Sequence, residues 1–271
     1  MPYRWVKSQR LIDVRIKSQG PFTFIVDTGV TGAAIDLQVA TSLGIELPEE
    51  RASRMQSGAS AGGRIYQTYI TDLSVGPLEI DRLQAAALPL DALGERLGEP
   101  LHGILGDGFL GKRVTRFDDT IQTLSFASSL DAFSDDVAQA DWVTPLVISP
   151  SGDMPILEVR LGGKSFTATL DMGSSLGLEI FTPFAEEFGL GHALEEWTES
   201  TVLGGSLGQA KVYDGTVERI DVGPLTLTEV PTSITPPRSD RNRKGNLGNQ
   251  LWKGYVLILD YVGRRLVFRK P

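Results

Sequence analysis

The sequence of 271 residues contains no cysteine and only two histidines, His102 and His192. Disulfides, thiolate metal sites and cysteine nucleophiles are therefore excluded. Two histidines offer little material for a multi-histidine metal site or a serine–histidine triad, and we interpret each as a surface or packing residue. We accordingly expect neither a metal nor another cofactor.

The chain also lacks a long apolar run and a positive net charge. No stretch reaches the length of a membrane-spanning helix, and the start, MPYRWVKSQR, lacks the apolar core of a secretory signal. The protein is therefore either cytoplasmic, or periplasmic or secreted after removal of a signal, and the sequence leaves both open. The formal charge of −8 disfavours nucleic acid and anionic membranes as partners, because both are polyanions.

What the chain does contain is an internal repeat. FTFIVDTGVTGAAI at 22–35 is matched by FTATLDMGSSLGLEI at 166–180. Three further blocks follow in the same order, at offsets of 142 to 147 residues: SVGPLEI with DVGPLTL, GILGDGFL with GNLGNQLW, and FDDTIQTLSF with LDYVGRRLVF. Four matched blocks in one order indicate duplication of half the chain. We expect an N-terminal lobe at 1–135 and a C-terminal lobe at 142–271, joined within the polar stretch 128–142.

Each copy is predicted to be mostly β. LIDVRIK and ILEVRLGG alternate apolar and polar residues, which is typical of half-buried strands. The 30 glycines and 15 prolines are spread along the chain, as expected for many turns. One short helix is predicted in each copy. The first is capped by Asp36 and ended by Gly44; the second is opened by Thr182 and Pro183 and ended by Gly189.

Asp27 and Asp171 each follow an apolar strand directly. A carboxylate in that position is costly unless something uses it. Gly29 and Gly173 follow two residues later, and glycine lets another segment approach the backbone closely. If the copies pack about a pseudo-twofold axis, both carboxylates meet there and share a proton. Such a pair can deprotonate water with one member and protonate a carbonyl oxygen with the other.

Asp27-Thr28-Gly29, Asp171-Met172-Gly173-Ser174 and Ile104-Leu105-Gly106 together resemble the aspartic peptidase superfamily over nearly the whole chain. The organisation resembles pepsins, and the compact halves resemble fused retropepsin units of the bacterial type. The resemblance implies two similar β-barrel-like lobes related by a pseudo-twofold axis, the acid-protease fold. It also implies that Asp27 and Asp171 are catalytic and that Thr28, Gly29, Met172, Gly173 and Ser174 support their loops.

The resemblance further implies that Ile104-Leu105-Gly106, matched by Asn246-Leu247-Gly248, packs under the catalytic loops. Flaps over the cleft are expected at 58–66 and 204–210, with possible flap residues Gly62, Gly63, Tyr66, Gly204 and Gly205. Met172 stands where the family has a Thr or Ser whose hydroxyl bonds across the axis, so we expect half of that inter-lobe lock to be missing. Val30 stands where pepsins have a Ser.

The sequence therefore predicts a monomeric aspartic endopeptidase that takes a peptide or protein substrate in the inter-lobe cleft. Two alternatives stay open. One is a noncatalytic peptide-binding or interaction protein derived from such a peptidase, which Met172 favours. The other is a hydrolase of a small substrate, which no feature of the sequence specifically supports. The basic run of Arg238, Arg241, Arg243 and Lys244 is interpreted as a solvated loop or as a contact for acidic substrate side chains.

Overall fold

The structure is a computed structural model that describes residues 1–54, 64–150, 154–204, 208–236 and 243–270. Most of the described chain is β-strand, arranged as two closed barrels and one further sheet.

The first barrel is built from strands of the N-terminal copy. Its strands are β1 Arg4–Val6, β2 Gln9–Ile16, β3 Gln19–Val26, β4 Ala33–Asp36, β5 Ala52–Arg54, β6 Arg64–Val75, β7 Leu78–Leu88 and β8 Gly103–Leu105. They pair in the order β1-β2-β3-β8-β4-β7-β6-β5, and a further pairing of β2 with β6 closes a ring of six strands. On β2, Val14 and Ile16 are buried whereas Asp13 and Arg15 are exposed, so the predicted alternation places the apolar face in the core.

The second barrel repeats the first strand by strand. It contains β12 Val147–Ile148, β13 Pro155–Leu161, β14 Lys164–Leu170, β15 Leu178–Phe181, β16 Thr198–Gly204, β17 Gly208–Val222, β18 Leu225–Thr235 and β19 Gly245–Leu247. The order β12-β13-β14-β19-β15-β18-β17-β16 has the same connectivity as the first barrel, and a pairing of β13 with β17 closes it. The duplication read from the sequence is thus a duplication of structure.

A third sheet joins strands from both copies. It contains β9 Val114–Asp118, β10 Thr123–Ala127, β11 Trp142–Pro145, β20 Val256–Asp260 and β21 Arg265–Arg269. The order is β10-β9-β20-β21-β11, so equivalent hairpins of the two copies meet at the antiparallel β9–β20 pair. This symmetric pairing marks the pseudo-twofold axis. Division of the chain into lobes at 135 and 142 remains our proposal.

The helices are few and short: α1 Leu37–Ser42, α2 Asp91–Leu97, α3 Asp107–Leu110, α4 Ser134–Ala138 and α5 Ala193–Glu196. The first predicted helix is α1, in which the Asp36 carboxylate accepts from the backbone N–H groups of Gln38 and Val39 at 2.9 and 3.1 Å. The second predicted helix is present in 3₁₀ form and ends at Gly189, which adopts the left-handed conformation. It consists of two 3₁₀ turns, Thr182–Phe184 and Glu186–Phe188, whose backbone bonds run from residue i+3 to residue i.

Candidate active site

The two predicted catalytic aspartates occupy equivalent places in the two barrels. Asp27 follows β3, which pairs in parallel with β8, and its N–H donates to Leu105 O at 2.9 Å. Asp171 follows β14, which pairs in parallel with β19, and its N–H donates to Leu247 O at 3.0 Å. The blocks Ile104-Leu105-Gly106 and Asn246-Leu247-Gly248 therefore each lie beside one of the aspartate loops.

The two aspartate loops face each other at close range. A Cβ added to Gly29 would lie 2.7 Å from Asp171 Oδ1, and one added to Gly173 would overlap the Asp27 carboxylate. Each carboxylate thus rests against the glycine of the opposite loop, an approach that only glycine permits. Asp171 is buried and Asp27 is half-buried, and both line one cavity of about 330 Å³. Asp27 and Asp171 are far apart in the sequence, and the fold brings their carboxylates together.

Thr28 supplies one half of the lock between the loops. Its fully buried hydroxyl donates to Leu170 O in the other copy and accepts from Met172 N–H at 2.9 Å. The Met172 side chain is also fully buried and belongs to the main apolar core. At this position the structure therefore has apolar packing where a hydroxyl would make the symmetric pair of bonds.

The second loop is held instead through its carbonyl oxygens. Asn249 Nδ2 donates to Met172 O at 2.7 Å, and Gln9 Nε2 donates to Gly173 O at 2.5 Å. Gln9 comes from the first barrel, so its bond also crosses between the copies. Asn249 is fully buried, and its Oδ1 accepts from Arg10. These two amide side chains restrain the loop that carries Asp171.

Arg10 anchors this arrangement in the core. Its side chain is fully buried, as is that of Asp119, and the two form a bidentate pair at 3.0 and 2.9 Å. The Tyr3 hydroxyl donates to the same carboxylate. Burial, together with the bond to Asp119, raises the pKa of Tyr3, so the hydroxyl remains a donor. The buried charge of Arg10 is thus paired with Asp119, and Arg10 also bonds to Asn249, which holds the loop of Asp171.

The remaining predicted loop residue, Ser174, is buried behind Asp171. Its hydroxyl donates to Glu179 and accepts from Leu176 N–H at 3.2 Å. Asp107, which stands in the repeat position of Asn249, accepts from Gly32 N–H and so supports the first loop. Val30 lines the cavity beside Asp27.

The predicted flap residues are placed only in part. Gly62, Gly63 and Gly205 lie outside the described residues. Tyr66 is on β6, where its hydroxyl donates to Glu49 Oε1 at 3.3 Å, and Gly204 ends β16. Val202, also on β16, lines the cavity with the two aspartates. The flap assignment stays a prediction.

Sequence reasoning missed Gln9, Arg10 and Asn249, which hold the second loop, and α2, which forms one wall of the cavity through Leu93, Arg96 and Leu97. The repeat alone could have pointed to Asn249, because it aligns with Asp107. Both histidines pack against aromatic rings, His102 on Phe22 and His192 on Trp197.

No described helix combines the length and the apolar character needed to cross a membrane. The same part of the chain contains no group of three or more His, Asp or Glu side chains placed to hold a metal ion.

Two duplicated barrels with an aspartate loop from each at their shared axis define the acid-protease fold. An aspartyl protease family model matches residues 12–109 and again residues 157–251, which is more than half of the chain. The chain belongs to the aspartyl protease family, and the predicted membership of the aspartic peptidase superfamily is confirmed.

Solved structures agree on the fold. Basic 7S globulin from soybean matches with a TM-score of 0.54 at 10% identity, covering 99% of this chain and 94% of that chain. Conglutin gamma, a basic 7S globulin from lupine seeds, matches with a TM-score of 0.56 at 11% identity, covering 97% and 92%. A retropepsin-like aspartic protease from Rickettsia conorii covers 46% of this chain and 98% of its own at 15% identity, with a TM-score of 0.37 that is too low to argue from. No curated protein sequence matches the chain. Since the two plant structures are named as globulins, the shared fold leaves the activity open.

Proposed function

We propose that this protein is an aspartic endopeptidase that hydrolyses peptide bonds with Asp27, Asp171 and an activated water. The observation that carries the proposal is the juxtaposition of the two carboxylates, each against the glycine of the opposite loop, in a cavity open to solvent through half-buried Asp27. No covalent enzyme intermediate is needed in such a site. The single chain supplies both aspartates, so we propose that it works as a monomer.

The proposed reaction uses one ionised and one protonated carboxyl. The ionised carboxylate takes a proton from the water, whose oxygen attacks the carbonyl carbon of the peptide. The protonated carboxyl gives its proton to the carbonyl oxygen, forming a tetrahedral diol. The carboxyl that took the proton of the water then gives it to the amide nitrogen, while the other carboxylate takes a proton from a diol hydroxyl. The C–N bond breaks, an amine and a carboxylic acid are released, and the two carboxyls return to their starting states. Thr28, Gln9 and Asn249 keep the loops in register during these transfers.

The second candidate is a noncatalytic protein that binds peptides in the same cavity. Two observations favour it. Met172 is buried at a position where a threonine or serine would supply an inter-loop hydroxyl, and the chain is similar in fold to proteins named as globulins. The intact pair of aspartates favours the enzyme, because a binding protein has no need of two carboxylates held against each other.

The test is digestion of a denatured protein mixture from pH 3 to pH 8, with cleavage sites read by mass spectrometry, comparing the wild type with Asp27→Asn. Asp81→Asn is the matched control, because Asp81 is an exposed aspartate on β7. We expect a bell-shaped pH profile for the wild type and the control, and a loss of at least about 100-fold for Asp27→Asn, the usual scale for a general acid–base group. Equal, low cleavage by all three proteins would refute the proposal.

Binding separates the two candidates. A peptide with a secondary hydroxyl in place of the scissile carbonyl resembles the tetrahedral species and should bind the wild type more tightly than the parent peptide. The noncatalytic candidate instead predicts equal affinity for both peptides, and no effect of Asp27→Asn on either.

A further inference from the structure

The cavity that contains the two aspartates is lined by three cationic side chains, Lys7, Arg96 and Arg243. Its acidic side chains among the described residues are Asp27 and Asp171 alone. Even with both carboxylates counted as charged, the three cations outnumber the two anions in this lining. The cavity therefore carries a net positive charge, whereas the chain as a whole carries a formal charge of −8.

Lys7 and Arg96 are neighbours in the lining of this cavity. Lys7 lies in the turn between β1 and β2, and its Nζ donates to the backbone carbonyl of Arg96 in the last turn of α2. In the described part of the chain, neither side chain takes part in a salt bridge. Arg96 donates one hydrogen bond, from Nη2 to Thr201 O at 3.1 Å, and its other donors bond to no described residue. Lys7 Nζ thus lies against the backbone of Arg96, and no described residue compensates the charge of either side chain.

The wall beside this pair is apolar. Leu93 and Leu97 of α2 line the cavity together with Ile25 and Ile104 of the first barrel. A side chain that is aliphatic near the backbone and anionic at its end matches a wall of this kind that leads to a cationic pair. Arg243 is a weaker candidate for the anion, since its guanidinium already donates to Asn246 Oδ1.

We propose that Lys7 and Arg96 form a substrate subsite for a carboxylate, and that the preferred substrates are peptides with a glutamate-like side chain near the scissile bond. An arginine with free donors can bind a carboxylate through two of its N–H groups, and the lysine adds a second charge. This inference rests on the proposed function, because it uses the same cavity. The free carboxylate at the end of a peptide has the same chemistry and is the second source to be tested.

The experiment measures kcat/KM for a set of peptides blocked at both ends, in which one position at a time carries Glu, Gln or Lys. A second set carries Gln throughout and ends in either a free carboxylate or an amide. The protein variants are Arg96→Gln, Lys7→Gln and Arg96→Glu. Arg15→Gln is the matched control, because Arg15 is an exposed arginine that also donates to one backbone carbonyl, Ser18 O, and does not line the cavity.

We expect wild type and Arg15→Gln to prefer Glu over Gln at one position by about 10-fold, the scale of a charged hydrogen bond at a partly solvated site. Arg96→Gln should reduce the preference to about 2-fold, and Arg96→Glu should reverse it in favour of Lys. Lys7→Gln, at an exposed turn, provides the same test if an Arg96 variant folds poorly. A preference for the free carboxylate in the second set, with none in the first, would assign the subsite to the peptide terminus.

Failure of this inference differs from failure of the proposed function. Cleavage with no difference between Glu and Gln, or with a preference that survives both Arg96→Gln and Lys7→Gln, overturns the subsite and leaves the peptidase intact. Binding of the same peptides to Asp27→Asn, measured by calorimetry, does not depend on cleavage. Tighter binding of the Glu peptide that is lost with Arg96→Gln would support the subsite even if the wild type cleaves nothing.

Discussion

Replacing Met172 by threonine tests how the active-site loops are held. The Met172 side chain is fully buried in the main apolar core. Truncating a buried methionine to alanine costs about 2–5 kcal/mol, and threonine retains part of that volume. The new hydroxyl could donate to Val26 O, as Thr28 donates to Leu170 O, and regain about 0.5–1.5 kcal/mol. We expect a net loss of about 1–2 kcal/mol in the free energy of unfolding.

For a chain of this size, that loss lowers Tm by roughly 2–8 °C. Thermal unfolding followed by circular dichroism measures it, with Met172→Leu as a volume-conserving control that should cost less than about 1.5 kcal/mol. Thr28→Val should cost more than Met172→Leu, because it removes a buried hydroxyl that both donates and accepts between the loops. A threonine variant with a higher Tm and a higher kcat than the wild type would refute the reasoning, because the free energy gained from the new hydrogen bond would then exceed the free energy lost from packing.

Two further predictions concern stability. Arg10→Met should destabilise the protein by about 3–5 kcal/mol in a denaturant titration, because it leaves the fully buried Asp119 carboxylate without its bidentate partner. A denaturation midpoint equal to that of the wild type would contradict the role given to this pair. His102 Nδ1 accepts from Thr23 N–H at 2.9 Å, and burial lowers the pKa of His102, so stability that is present above pH 6.5 should be lost as the pH falls through the folded-state pKa. His102→Gln should reduce the part of the pH dependence of Tm that lies below pH 6.5, and an unchanged profile would exclude this histidine as its source.

Much of the fold follows from short-range pattern. The alternation in β2 and β13 and the capped start of α1 are local properties, and the structure has them where they were predicted. The segment 182–189 shows the limit of such reasoning. Proline near its start and glycine at its end mark its two boundaries, but they do not distinguish an α-helix from two 3₁₀ turns.

The helix α2 was not predicted, because its stability does not come from its own seven residues. Leu97 is buried against Leu11 and Ile25 of the first barrel, and Leu93 packs on the same cluster. Helices this short are unstable alone and depend on tertiary contacts. The cavity wall formed by α2, and with it the position of Arg96, therefore follows from packing.

The duplication, the strand-rich class and the two aspartates could be predicted from the sequence, because repeated blocks and strand periodicity are carried by residues close together in the chain. The support of the Asp171 loop, in contrast, depends on contacts between distant parts of the chain. Gln9 and Gly173 are 164 residues apart, and Arg10 and Asn249 are 239 apart, so no local pattern links them. Their contacts exist because closure of two barrels about one axis places the start of β2 beside the opposite loop, and that closure is a property of the whole chain.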